Sequence, residues 1–149
     1  MRLELTKRAD YAIRAMLALA RTEPGERRSV REIAEEQRIP ARFLPRAMTD
    51  LIRAGLVEAT VGRRGGYRLT RPAASISLLD VVEAIEGDSR RRVCILRGGP
   101  CALDGVCDVH EVFAAAQEDV IERLRSASIA DAVAHPVRSL SPIPIRRRS

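Results

Sequence analysis

Tryptophan is absent from this 149-residue chain, and only Tyr11, Phe43, Tyr67 and Phe113 are aromatic. Proteins that hold single-stranded nucleic acid stack successive bases on aromatic rings, so four scattered rings exclude a platform of that kind. Long apolar runs are missing too: none approaches the roughly 20 residues that span a bilayer. Lys7, Arg8, Asp10 and Arg14 fall where a signal peptide would need an unbroken apolar stretch, and a cytoplasmic location is the expectation. Cysteine is scarce and odd in number, three in all, which argues against a disulfide framework. There is no convergent acid–base or nucleophilic set, so an enzyme is not expected. Internal repeats are absent as well.

What is present is unevenly charged. Residues 1–71 carry 16 basic and 9 acidic side chains, residues 72–135 carry 6 and 11, and the tail 136–149 adds four arginines. A basic half joined to an acidic middle points to a division of labour. The usual partner of such a half is a polyanion, most often nucleic acid, the alternative being a merely solvated charged surface.

The hydrophobic pattern places elements along that division. Residues 6–21 put Tyr11, Ala12, Ala15, Met16, Leu19 and Ala20 on one stripe at helical spacing, with Thr6 as N-cap. Ser29-Val30-Arg31-Glu32 has capping-box spacing and opens a short helix that ends before Ile39-Pro40. A third helix is expected to run to about Ala54, closed by Gly55. Its inward face would be Leu44, Ala47, Met48, Leu51 and Ile52, and its outward face Arg42, Arg46, Thr49 and Arg53. Pro45 fits only if it sits in the first turn or kinks the helix. Leu56 to Thr70 reads as a β-hairpin, with Gly65-Gly66 supplying positive φ at the reversal and Arg63 and Arg64 at its tip.

Helix, short helix, helix and hairpin is the order of a winged helix-turn-helix, in which one helix reaches the major groove and the wing reaches the flanking backbone or minor groove. Double-stranded DNA is then the partner, and Arg42, Arg46, Thr49, Arg63 and Arg64 are the candidate contacts. The rival is a winged domain that docks another protein.

Beyond the hairpin, Ser77 caps a helix running to Glu86, and a long helix runs from Asp108 to about Arg125. Its apolar residues, Val109, Phe113, Ala116, Val120 and Leu124, form a narrow seam suited to a homodimer that offers two recognition helices to a palindromic operator. A short helix over 128–134 follows, and then a Pro-, Ser- and Arg-rich tail without periodicity, read as disordered. The expected fold class is mainly α with a small β-hairpin wing. Residues 1–71 would form the winged DNA-binding domain, residues 72–134 a cluster-binding loop and the dimerisation helices, and residues 135–149 a disordered basic tail.

All three cysteines fall in one stretch, C-x6-C-x5-C, with a histidine three positions after the last. Gly98, Gly99, Pro100 and Gly105 break any helix between them, so Cys94, Cys101, Cys107 and His110 form a loop-borne set of three soft ligands and an imidazole. Cys107 also precedes a helix start, the end of a helix that favours anions. An iron–sulfur cluster fits this inventory. A structural zinc site, metal-free redox thiols and inert buried cysteines are the other readings, although zinc usually takes paired C-x-x-C spacing, which is absent.

With these pieces in order, the chain to about residue 134 resembles the Rrf-two-type family of bacterial repressors, which includes IscR-like and NsrR-like iron–sulfur regulators. The resemblance rests on M-R-L…T-K-R-A-D-Y-A-I-R-A, on G-R-R-G-G-Y-R-L, on I-S-L-L-D-V-V-E-A-I-E-G and on the three cysteines. It implies a homodimer whose operator affinity is tuned by a cluster sensing redox state, nitric oxide or iron, with 2Fe–2S ahead of 4Fe–4S. By position, Cys94, Cys101 and Cys107 match the cluster thiolates. His110 matches the fourth ligand of the IscR-like branch, and Asp10 a carboxylate that the NsrR-like branch offers from the partner subunit. The chain departs from the IscR-like pattern at Pro45 and Val61, and by one residue in the first cysteine spacing, so a different operator is expected.

Overall fold

The computed structural model describes residues 5–89 and 107–135. Its elements are α1 (Lys7–Ala20), α2 (Val30–Gln37), α3 (Leu44–Arg53), β1 (Val57–Thr60), β2 (Gly66–Leu69), α4 (Leu78–Glu86), α5 (His110–Ser126) and α6 (Ile129–Ala134), with a 3-10 turn at Ala73–Ser75. This is the mainly helical architecture with a two-stranded wing that the sequence pattern indicates. Among the described residues, no helix is long and apolar enough to cross a membrane.

Four starts are written locally. Thr6 accepts the Ala9 N–H at 3.2 Å. Ser29 with Glu32, Ser77 with Asp80, and Ser128 with Asp131 form reciprocal capping boxes. Each satisfies helix N–H groups that would otherwise be orphaned. Two of these boxes stand side by side: Leu78 N–H donates to Ala127 O and Ile129 N–H to Ile76 O, both at 2.8 Å, so the starts of α4 and α6 are stitched together.

α1 is the hub and packs against α2, α3, α4 and α6. Its buried Ala9, Ala12, Ala15 and Ala18 are small enough to let neighbouring helices approach closely. The core gathers Met16, Ile33, Leu44, Met48, Leu51, Ile76, Val81 and Ile129, all fully buried. Each such side chain contributes about 1.5–3 kcal/mol of transfer free energy. Residues from both halves of the chain therefore share this core.

Several expectations are corrected in detail. Ile52 is 39% exposed, because a stripe through residues 44, 47, 48 and 51 already spans the inward face and position 52 falls past its edge. Arg42 lies in the turn before α3 rather than on the helix. Pro45 sits in the first turn, where its missing N–H costs no intrahelical bond. In the hairpin, positive φ occurs at Gly62 and Gly66. Gly65 serves differently: a β-carbon there would lie 2.2 Å from the Thr60 carbonyl oxygen.

The hairpin pairs Val57 with Leu69, Glu58 with Arg68, Ala59 with Tyr67 and Thr60 with Gly66. Arg28 and Tyr67 exchange backbone hydrogen bonds of 3.0 and 2.8 Å, which fastens the wing to the turn before α2. Glu58 also ties the two regions, accepting from Arg68 and, at 3.3 Å, from Arg27. These bonds, that to Arg68 foremost, hold the Glu58 carboxyl below its usual range.

Candidate functional site

The helix after the tight turn is α3, and its start is unusual. Phe43 occupies the N-cap position and makes no capping bond. From there, Arg46, Thr49 and Arg53 face solvent. Thr49 donates its hydroxyl to Pro45 O at 2.9 Å, and Arg53 lies 3.5 Å from Asp50. Among the described residues, no salt bridge restrains Arg46. The base of the wing is clamped to the end of α3, since Leu56 N–H donates to Leu51 O at 3.0 Å and the Thr70 hydroxyl to Gly55 O at 2.6 Å. Arg63 and Arg64 are exposed at the opposite end of the hairpin, beside Val61, which is 98% exposed. Thus Arg46 and Thr49 share one helix face, Arg42 lies just before that helix, and the two wing arginines stand apart on the hairpin turn.

The sequence pattern did not reveal three features of this half. Tyr11 and Phe43 stack across 32 positions of chain, and Arg42 lies over the Phe43 ring. In addition, Arg8 joins two elements that no local pattern connects. Its Nη2 donates to Ile85 O at 2.9 Å at the end of α4, and its Nε lies 3.5 Å from Asp50 Oδ2 on α3. Thr6 N–H adds a 2.9 Å bond to Glu86 Oε1.

Of the thiol set, Cys94 and Cys101 lie outside the described residues, as does the tail from residue 136. Cys107 is a half-buried free thiol, and His110 is the half-buried first residue of α5. His110 N–H donates to Cys107 O at 3.0 Å, which closes one turn around the pair. Among the described residues, no side chain caps this end of α5, Val109 standing at the N-cap position, and the positive end of the helix dipole points there. A thiol and an imidazole within one turn at such an end suit an anionic thiolate-held group. Among the described residues, no three His, Cys, Asp or Glu side chains gather to hold a metal. Asp10 is engaged on its own helix, accepting from Arg14 at 3.0 and 2.8 Å.

On α5, among its described residues, only Ile121 is buried. Phe113, Val120 and Leu124 of the expected seam are half-buried, whereas Ala116 is exposed. Val112 is 70% exposed. The residue that anchors α5 to its own chain, Ile121, was not among those picked out by the seam.

This arrangement defines a DNA-binding transcriptional regulator of the winged helix-turn-helix class. Residues 5–135 match the Rrf2 family, described as "Iron-dependent Transcriptional regulator", and the chain belongs to that family. It is 34% identical over 135 residues to the HTH-type transcriptional repressor NsrR of Streptomyces coelicolor, covering 90% of each chain. It is 36% identical over 133 residues to the protein aau3 of Rhizobium meliloti, covering 88% of this chain and 85% of that one.

Among solved structures, IscR of T. potens superposes with a TM-score of 0.70 at 25% identity, over 89% of this chain and 87% of that one. CymR of B. subtilis, titled the global cysteine regulator, superposes at 0.76 with 22% identity, over 89% and 98%, a likeness of fold. The family is one of transcriptional regulators and not of enzymes, and NsrR is named a transcriptional repressor.

Proposed function

We propose that the chain is a homodimeric repressor, acting in the cytoplasm, whose grip on a palindromic operator is set by an iron–sulfur cluster held by Cys94, Cys101, Cys107 and a fourth ligand. The observation that carries this reading is the placement of Cys107 and His110 within one turn at the start of α5, in a family described as iron-dependent. His110 is preferred over Asp10 of the partner subunit as fourth ligand, since Asp10 is already engaged with Arg14. When bound, the cluster supplies iron that can change oxidation state or be lost, and this is the signal; 2Fe–2S is favoured over 4Fe–4S. The exposed Val109 and Val112 and the half-buried seam of α5 support its role as the dimer helix.

The chain's own residues offer a route from that segment to the DNA-reading half. Gln117 of α5 reaches Ser89 O at 3.5 Å, and Ser89 N–H donates to Glu83 of α4 at 3.1 Å. The end of α4 holds Arg8, and Arg8 faces Asp50 of α3. Asp50 is only 16% exposed at its side chain, so it is sensitive to the loss of its cationic neighbour. A shift at the end of α4 therefore biases the tilt of α3, with Arg42, Arg46 and Thr49 at the major groove and Arg63 and Arg64 on the flanking groove. Couplings of this kind are worth about 1–3 kcal/mol, roughly five- to 150-fold in affinity.

Anaerobic purification followed by an absorption spectrum and iron and sulfide assays tests the reading. Coloured protein is expected, and Cys101→Ala should be colourless; a Cys101→Ala protein with full iron and sulfide would overturn the ligand assignment. The second reading, a metal-free thiol switch, draws on the free half-buried Cys107 and would give a colourless protein whose DNA binding responds to thiol oxidants.

A further inference from the structure

Two of the four aromatic rings in the chain meet at the start of α3. Tyr11 and Phe43 stack with centroids 6.2 Å apart and planes at 21°. The Arg42 guanidinium lies over the Phe43 ring, 4.7 Å from its centroid. Phe43 is nonetheless 45% exposed, while its neighbour Leu44 is fully buried.

Position 43 forgoes two ordinary sources of stability. A ring retained for packing would be drawn into the core, and an N-cap residue would normally be Ser, Thr, Asp or Asn, accepting a helix N–H. Phe43 does neither. What it offers is a held ring. Its backbone N–H donates to Pro40 O at 3.0 Å, and its side chain is braced by Tyr11 and Arg42. Little side-chain freedom then remains to be lost when the exposed part of the ring meets a partner.

The N-terminal residues of a recognition helix contact base edges in the major groove. The apolar feature presented there is the C5-methyl group of thymine, and phenylalanine is among the side chains that contact it. We infer that Phe43 is a specificity-determining residue that reads one thymine methyl in each operator half-site, with Tyr11 and Arg42 as its positioning residues. The inference rests on α3 being the helix that enters the groove.

The test uses the full-length protein. Its operator is selected from a random duplex library, and each thymine of the selected site is replaced singly by uracil, which removes the methyl and leaves every hydrogen-bonding group. One thymine per half-site should show a loss of about fourfold on replacement, the value of one buried methyl at about 0.8 kcal/mol. That discrimination should vanish in Phe43→Ala and in Phe43→Ser. Phe43 is 45% exposed, so both truncations leave the buried core in place, and a circular-dichroism spectrum checks the fold of each before titration.

No uracil-sensitive thymine in the wild type overturns the inference, and so does discrimination that survives in the folded serine variant. Arg46→Ala separates the two levels. If Arg46→Ala alters base preference while Phe43→Ser leaves the uracil effect intact, only the methyl reading falls. If neither changes any preference, α3 is not the reading helix and both fall.

Discussion

Replacing Gly65 by alanine tests whether the wing works as a rigid arm. The added β-carbon would stand 2.2 Å from Thr60 O, 2.9 Å from Gly62 O and 3.0 Å from the Thr60 carbonyl carbon. All three neighbours are backbone, so no side chain can swing aside, and the turn itself must open by about 1 Å to regain ordinary contact. Overpacking of this kind costs about 1–3 kcal/mol. Against a total stability of about 5–15 kcal/mol the fold survives, with a melting temperature lowered by about 3–10 °C.

The base of the hairpin is fixed by buried Val57 and by the Arg28–Tyr67 bridge, so the distortion concentrates at the tip that carries Arg63 and Arg64. Operator affinity should then fall by about 1–3 kcal/mol. Gly62→Ala is the comparison: φ there is +113°, and no atom lies within 4 Å of the added carbon, so strain arises without collision. Circular dichroism melts and fluorescence-anisotropy titrations supply both readings. A Gly65→Ala protein that melts with the wild type and binds its operator equally well would refute the reasoning.

Three further outcomes follow from the same structure. Arg46→Ala should weaken operator binding by about 1–3 kcal/mol and relax base preference where it reads a base, measured by repeating the operator selection; unchanged affinity and preference would remove Arg46 from the interface. Wild-type affinity should fall linearly in log–log form with salt, as phosphate neutralisation requires, and a flat response would contradict the basic-half argument.

Acid should uncap α2. Glu32 accepts from the Ser29 N–H and hydroxyl, both at 2.7 Å, and the backbone bond foremost holds its carboxyl below the usual range. Because the folded value is depressed, the stabilisation is complete above the ordinary carboxylate pKa and disappears as pH falls through the lowered one. Melts between about pH 6 and 3 should decline less steeply for Glu32→Gln than for the wild type; parallel curves would discount the cap.

Short-range chemistry was readable in the sequence and long-range chemistry was not. Ser29 with Glu32 and Ser77 with Asp80 are three residues apart, and their capping follows from spacing alone. The same holds for Ala12, Ala15, Met16 and Leu19 of α1 and for the order of helices before the wing, whereas buried Ala9 and Ala18 lay outside the expected stripe and Tyr11 and Ala20 are only half-buried. Ile52 was misplaced because a run of apolar residues does not say where a ten-residue helix turns out of contact. Gly65 and Gly66 look alike as letters, yet Gly65 only avoids a collision with Thr60, while Gly66 adopts positive φ and a β-carbon there would also stand 2.8 Å from Arg28 O.

The Tyr11–Phe43 stack and the Arg8 bridge between α3 and α4 exist only once α1 is docked. For the candidate site, spacing gathered the thiols and the histidine into one segment. The closed turn joining Cys107 to His110 required coordinates.

The most direct measurement takes one anaerobic preparation, titrates its operator, strips the iron and sulfide under the same atmosphere, and titrates again. The account predicts coloured protein at the outset and at least about a fivefold change in affinity after stripping. Colourless protein without iron or sulfide that binds at full strength, or an affinity unmoved by stripping, would contradict it.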